Sequence, residues 1–288
     1  MRFDRVAIVD WSAANGPTSA SNRANAIWIG SRSDTGFEEQ HFRTRHAAEA
    51  RVAALIHTAR AQGERLLIGF DFAFGYPAGF ARALTGQTTA RSVWHWLASR
   101  ITDTTDNRNN RFDLANAINQ RLGQVGPFWS HPPSHSYSHL RPTRQGIDHD
   151  ALGFAERRRV EQAVRAAKSV WMLSNPGAVG SQSLLGLPMI HRLSQATDVA
   201  VWPFDAPDTP IVLTEVYPSL LDAEVTATQA GPGWVKDQMQ VRLLAKALFL
   251  LGQTGNLTPL FARPGGTAAT EEGWILGAGH AVALKAAL

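Results

Sequence analysis

The chain has 288 residues, of which 44% are hydrophobic and 18% are charged, so it can bury a sizeable core in one large domain or two ordinary ones. It contains no cysteine, which excludes a disulfide framework and thiol chemistry. Its net charge of +4 is a mild excess that agrees with an anionic partner such as a nucleic acid or a nucleotide.

Neither a signal peptide nor a membrane span is expected. The chain enters a strand-like run at its first residues. Its most apolar late segments are interrupted by Lys246, His280 and Lys285, so no segment reaches the roughly 20 uninterrupted apolar residues of a membrane span. We therefore expect a soluble, cytoplasmic protein.

Apolar runs and helical periodicity predict the secondary structure in chain order. Strands are predicted at residues 5–13, 26–33, 36–43, 66–77 and 211–216. Helices are predicted at residues 44–62, 235–251 and 271–288, and residues 78–205 have a mainly helical and looped pattern. Three successive strands followed by helix-separated ones are typical of an α/β fold with a mixed sheet of five strands and helices on both faces.

The domain organisation follows from this order. We expect a single domain over residues 1–288, with a core formed by 1–77 and 206–288 and a large helical insertion at 78–205. Right-handed crossovers would place the first, fourth and fifth strands side by side. The carboxyl ends of these strands would then meet at the edge where open α/β sheets bind ligands.

An acidic residue ends each of these three apolar runs: Asp10 in "VAIVDWSAA", Asp71 in "LLIGFDFAFGYP" and Glu215 in "PIVLTEVYPSLL". A carboxylate among apolar side chains is costly to desolvate unless it is paired or binds a metal ion. Clustered carboxylates suit Mg²⁺ or Mn²⁺, which can activate water for the cleavage of a phosphodiester. The alternative is that each acid only caps a neighbouring turn or helix.

These segments resemble the ribonuclease H-like fold, and more narrowly the DUF429 family of predicted ribonuclease H-like nucleases. The middle of the chain is similar as well, in "NNRFDLANAINQRL", "GPFW", "KSVWML", "GAVGSQSLLGLP" and "VKDQMQVRLLA". The resemblance implies a further metal-binding acid from a C-terminal helix. Glu271 and Glu272 begin the last predicted helix, and we favour Glu272. Glu49, on the first helix, is another candidate.

The resemblance also suggests residues that contact the substrate. We assign this role to Ser12 in the first motif, to Lys168, and to the segment "GAVGSQ", with its residues Gly180, Ser181 and Gln182. A basic segment at 156–168 contains Arg158 and is interpreted either as a surface that follows a phosphate backbone or as a solvated helix face.

Three functions remain open from the sequence. The first is a metal-dependent nuclease or phosphodiesterase with catalytic acids Asp10, Asp71, Glu215 and Glu272. The second is a nucleotide-binding or phosphoryl-transfer protein of the actin-like ATPase type, which would use the small-residue turn "DWSAANGP". The third is a non-catalytic nucleic-acid-binding module.

Overall fold

A six-stranded mixed sheet forms the centre of the molecule. The computed structural model describes residues 1–19, 21, 23–175 and 177–288. The strands are β1 (Arg5–Asp10), β2 (Ile27–Ser33), β3 (Gly36–Phe42), β4 (Leu66–Phe70), β5 (Val199–Trp202) and β6 (Ile211–Glu215). They are arranged in the order β3-β2-β1-β4-β6-β5. The α/β class is thus confirmed.

The prediction of five strands is wrong because it omits β5. This strand has four residues, all of them buried, and so short an apolar run shows no alternation by which a strand is recognised. Residues 199–202 fall within the predicted helical insertion, but in the structure they pair in parallel with β6. The insertion therefore contributes an edge strand to the sheet.

The direction of the strands sets up the edge at which the acids meet. β1 is antiparallel to β2, and β2 to β3. β1, β4 and β6 are adjacent and parallel, as expected, with Val9 opposite Phe70 and Phe70 opposite Glu215. The carboxyl ends of the three strands consequently lie at one level of the sheet.

Helices and short 3₁₀ turns surround the sheet. The helices are α1 (Arg45–Gln62), α2 (Phe80–Thr85), α3 (Ala90–Ala98), α4 (Arg111–Arg121), α5 (His149–Leu152), α6 (Arg159–Ala163), α7 (Gly180–Leu193), α8 (Asp222–Ala227), α9 (Lys236–Gln253) and α10 (Ala281–Ala286). The segment predicted as a helical insertion thus contains α2 to α7.

The two longest helices cover opposite faces of the sheet. In β1, Ala7 and Val9 belong to the core shared with α1, whereas Val6 and Ile8 belong to the core shared with α9. This separation follows from the alternation of side chains along a strand. Thr44 caps the start of α1 by accepting a hydrogen bond from the backbone N–H of Ala47, which confirms the predicted helix start.

The helix predicted at 271–288 is wrong over its first ten residues. Gly273, Gly277 and Gly279 have φ values of 76°, 86° and 82°, which lie in the left-handed region and not in a right-handed helix. Only α10 is helical in this segment. Glu271 and Glu272 therefore lie in a turn, outside a helix.

Gly75, just before the predicted insertion, lies in close contact with the backbone of the turn that contains Glu271 and Glu272. A Cβ atom at position 75 would lie 2.2 Å from the carbonyl oxygen of Glu271 and 2.6 Å from that of Glu272. We expect Gly75→Ala to lower the free energy of unfolding by about 1–3 kcal/mol, because backbone atoms cannot move aside as a side chain can. The measurement is chemical denaturation.

Gly265→Ala is the matched control for this substitution. Position 265 has a φ of −84° and no atom within 4 Å of a Cβ. We expect it to change the free energy of unfolding by less than about 0.5 kcal/mol. Equal effects at both positions would contradict the close contact at Gly75.

Candidate functional site

The carboxyl ends of the parallel strands open into a cavity of about 470 Å³. Asp10 is the last residue of β1, Asp71 directly follows β4, and Glu215 is the last residue of β6. All three line this cavity. The structure therefore brings together the three strand-end acids that the sequence pattern singles out.

A fourth acid, Asp237, reaches the same cavity from the first turn of α9. Sequence reasoning missed it, although the helix at 235–251 was predicted and an acid from a late helix was sought. The sequence pattern points instead to Glu271 and Glu272, in the first turn of the last predicted helix. Asp237 stands in the first turn of the preceding helix, so the same criterion applied to both helices would have found it.

None of the three aspartates forms an ion pair within the described part of the chain, although Lys236, which pairs with Asp222, opposes the rise in the pKa of Asp237. The backbone N–H of Trp11 donates to Asp71 Oδ1 at 2.7 Å. Within the described part of the chain, the carboxylates of Asp10 and Asp237 accept no hydrogen bond and form no ion pair. All three residues are only half-buried, so they are open to the cavity.

The pKa values of these aspartates are shifted upward. Burial, then repulsion by Asp71 and Asp237, raises the pKa of Asp10 well above its ordinary range. Burial raises the pKa of Asp71 to about 7, against the opposing hydrogen bond from Trp11. Burial also raises the pKa of Asp237 to about 6. The ionised cluster is therefore unfavourable without a compensating positive charge.

Glu215 differs from the aspartates because Arg158 pairs with it. Arg158 Nη2 lies 2.6 Å from Glu215 Oε1 and Nη1 lies 2.8 Å from Oε2. The backbone N–H of Phe74 donates to Oε2 at 3.1 Å. The interpretation of Arg158 as part of a solvated or phosphate-following basic helix is wrong, since its side chain is only 2% exposed.

Glu271, Glu272 and Glu49 lie outside the lining of this cavity. Glu271 Oε1 accepts the backbone N–H groups of Gly79 and Ala81 at the start of α2. Glu272 accepts the backbone N–H of Arg159 and the hydroxyl of Thr267. These contacts are those of helix and turn caps.

Glu49 belongs to a different surface of the molecule. It forms a bidentate ion pair with Arg192 at 2.7 Å and lines a separate, smaller cavity beside α1. The structure therefore does not bring Glu49 to the strand-end acids.

The predicted substrate contacts divide into two groups. Ser12, Lys168 and Gln182 line the cavity. Gly180 and Ser181 lie outside its lining: a Cβ at position 180 would lie 2.3 Å from the carbonyl oxygen of Val170, and the Ser181 hydroxyl donates to the carbonyl of Leu173 at 2.6 Å. These two residues pack the start of α7 against the preceding segment.

The main chain of Trp11 links the acids to the insertion. Its N–H binds Asp71, and its carbonyl oxygen accepts a hydrogen bond from Gln182 Nε2, in the first turn of α7. The first turns of α7 and α9 thus both border the cavity, and helix N-termini favour negatively charged ligands.

The donor atoms of the cavity fit a hard divalent cation. Asp10, Asp71 and Asp237 offer carboxylate oxygens that are in no ion pair among the described residues, and carboxylate oxygens are the ligand type that Mg²⁺ and Mn²⁺ prefer. Among the described residues, no group of three or more His, Asp or Glu side chains is already gathered into a metal site.

Comparison with known proteins gives no assignment. No family model, curated protein or solved structure matches this chain. In the described residues, no helix is both long and apolar enough to cross a membrane. The chemistry of the cavity is therefore interpreted from its own residues.

Proposed function

We propose that this protein is a divalent-metal-dependent phosphodiesterase that cleaves nucleic acid. The observation that carries the proposal is the convergence, in one cavity at the carboxyl edge of the sheet, of three aspartates that form no ion pair with any described residue. Burial and mutual repulsion raise the pKa values of these aspartates, and such shifts are typical of functional sites.

The strand order supports a ribonuclease H-like fold, and the sequence resemblance is the ground on which we also propose membership of the DUF429 family. Three antiparallel strands followed by parallel ones, in the order β3-β2-β1-β4-β6-β5, agree with the arrangement that the sequence resemblance implies. An acid at the start of a late helix, here Asp237 on α9, fills the role for which Glu271 and Glu272 were first considered.

Asp10, Asp71 and Asp237 would hold the cation. A divalent ion bound there would supply an activated water and compensate negative charge on the phosphate. Lys168 and the first turn of α7 would position the phosphate from the other wall, where Lys168 is exposed and, within the described residues, has no carboxylate partner. Ser12 and Gln182 would contribute neutral hydrogen bonds beside the acids.

The proposal predicts that Asp237→Asn lowers Mn²⁺-dependent cleavage by at least about 100-fold, because even residues that only support a metal ligand commonly account for 10–100-fold. The assay incubates the protein with single-stranded RNA, single-stranded DNA, an RNA–DNA hybrid and ATP, with Mn²⁺ or with chelator. The expected result is chelator-sensitive cleavage of a polynucleotide.

Glu49→Gln is the matched control, since Glu49 is an acid that pairs with Arg192 away from the cavity. It should leave cleavage unchanged. Hydrolysis of ATP alone would favour the phosphoryl-transfer alternative, and full cleavage by Asp237→Asn would contradict the proposed site.

A further inference from the structure

Arg158 places a fixed positive charge inside the acidic cavity, where it pairs with one of the strand-end acids. From this arrangement we infer that the cavity holds one divalent cation and not two, and that the guanidinium of Arg158 compensates Glu215 in place of a second ion. The inference rests on the proposed function and concerns how its metal site is built.

Both carboxylate oxygens of Glu215 are already engaged. Each accepts a hydrogen bond from a terminal nitrogen of Arg158, at 2.6 and 2.8 Å, and Oε2 also accepts the N–H of Phe74. A two-ion site needs carboxylates that clamp ions about 3.5–4 Å apart. Glu215 could join such a site only by giving up a bidentate, charge-assisted pair.

Arg158 is held in this position from its other side. Its Nε donates to Glu161 Oε1 at 2.7 Å, and its Nη1 also donates to the backbone carbonyl of Glu272 at 2.9 Å. Glu161 is buried, with 1% of its side chain exposed. Withdrawal of the guanidinium would therefore leave two buried carboxylates without a counter-charge, which is strongly unfavourable.

The charge of the cavity wall also suits a single ion. Its acids are Asp10, Asp71, Glu161, Glu215 and Asp237, and its cationic side chains are Arg158 and Lys168. When all are ionised, the acids exceed the cations by three charges. One divalent ion leaves an excess of a single negative charge, whereas two ions would make the wall positive before any substrate enters.

The test is the stoichiometry of Mn²⁺ binding to the metal-free protein, measured by isothermal titration calorimetry and by the loss of the free-Mn²⁺ signal in electron paramagnetic resonance. We expect one equivalent per chain for the unaltered protein, one for Glu215→Gln, and none for Asp71→Asn. Glu215→Gln retains the Arg158–Glu161 pair, so one buried positive charge then faces one buried negative charge, and a melting curve checks that it folds.

The outcomes separate this inference from the function on which it rests. Two equivalents in the unaltered protein, or loss of binding in Glu215→Gln, would overturn the single-ion site and leave a metal-dependent enzyme standing. No Mn²⁺ binding by the unaltered protein would overturn both. The stoichiometry of the unaltered protein decides the question even if a variant fails to fold.

Discussion

Asp71→Asn is expected to stabilise the metal-free protein at pH 8 and to remove its stabilisation by Mn²⁺. Burial raises the pKa of Asp71 to about 7 from an ordinary value of 3.8, so the folded state favours the neutral carboxyl group. Asparagine is neutral, has nearly the same shape, and retains an oxygen that can accept the N–H of Trp11, which donates to Asp71 Oδ1.

The sign of the pH dependence follows from this shift. Below about pH 4 the carboxyl group is protonated in both folded and unfolded chains, so it imposes no penalty. As the pH rises towards 7, the unfolded chain releases the proton first and becomes relatively more favourable. The metal-free protein should therefore lose stability between about pH 4 and 7, and Asp71→Asn should remove at least about 1.4 kcal/mol of that loss, which is the equivalent of one pKa unit.

Melting curves at pH 5.5 and pH 8, with chelator and with Mn²⁺, measure both effects. At a hundredfold excess over its dissociation constant, the ion should stabilise the unaltered protein by about 2.7 kcal/mol and the variant not at all. Asp208→Asn, at an exposed position, is the matched control and should change neither quantity. If Asp71 acts only as a charged acceptor for the Trp11 N–H, the neutral asparagine will accept that hydrogen bond more weakly, so the variant will be less stable and its response to Mn²⁺ unchanged.

Arg158→Met is expected to lower the free energy of unfolding by about 3–5 kcal/mol, the usual effect of removing one partner from a buried ion pair. It leaves Glu161 and Glu215, whose side chains are 1% and 4% exposed, without a positive charge. Burial already raises the pKa of Glu161 even with Arg158 present. Urea denaturation measures this loss. The free energy of unfolding should fall while its linear dependence on urea concentration stays unchanged.

Two further variants make this expectation specific to the buried network. Arg192→Met breaks a bidentate pair with Glu49 at the surface and should change the free energy of unfolding by less than about 1 kcal/mol. The triple variant Arg158→Met, Glu161→Gln, Glu215→Gln removes the unpaired charges and should recover at least half of the loss. If Arg158→Met and Arg192→Met lowered the free energy of unfolding by similar, small amounts, this would contradict the stabilising role of the buried charge network.

The strand-end acids could be predicted from the sequence because local pattern determines them. The apolar runs before Asp10, Asp71 and Glu215 predict buried strands, and the crossover rule then places their ends together. The structure bears out this placement. Local pattern also predicted α1 and α9, whose apolar residues recur at helical spacing.

The parts that could not be predicted depend on contacts between distant segments. Arg158 stands in a run of basic residues that suggests a solvated helix, and only its packing against Glu215, 57 positions away, shows that it is buried. The segment after Glu271 has the apolar content of a helix, but its glycines adopt left-handed backbone conformations. The short β5 strand is recognisable only through its pairing with β6.

Trp11 joins the acidic site to the insertion through two neighbouring peptide groups. Its N–H, in the peptide bond with Asp10, donates to the Asp71 carboxylate, and its carbonyl oxygen, in the peptide bond with Ser12, accepts a hydrogen bond from Gln182 at the start of α7. The side chain of Trp11 is buried in the core, so this residue is itself fixed in place. The position of a strand-end carboxylate and the seating of a 14-residue helix therefore share one anchor in the main chain.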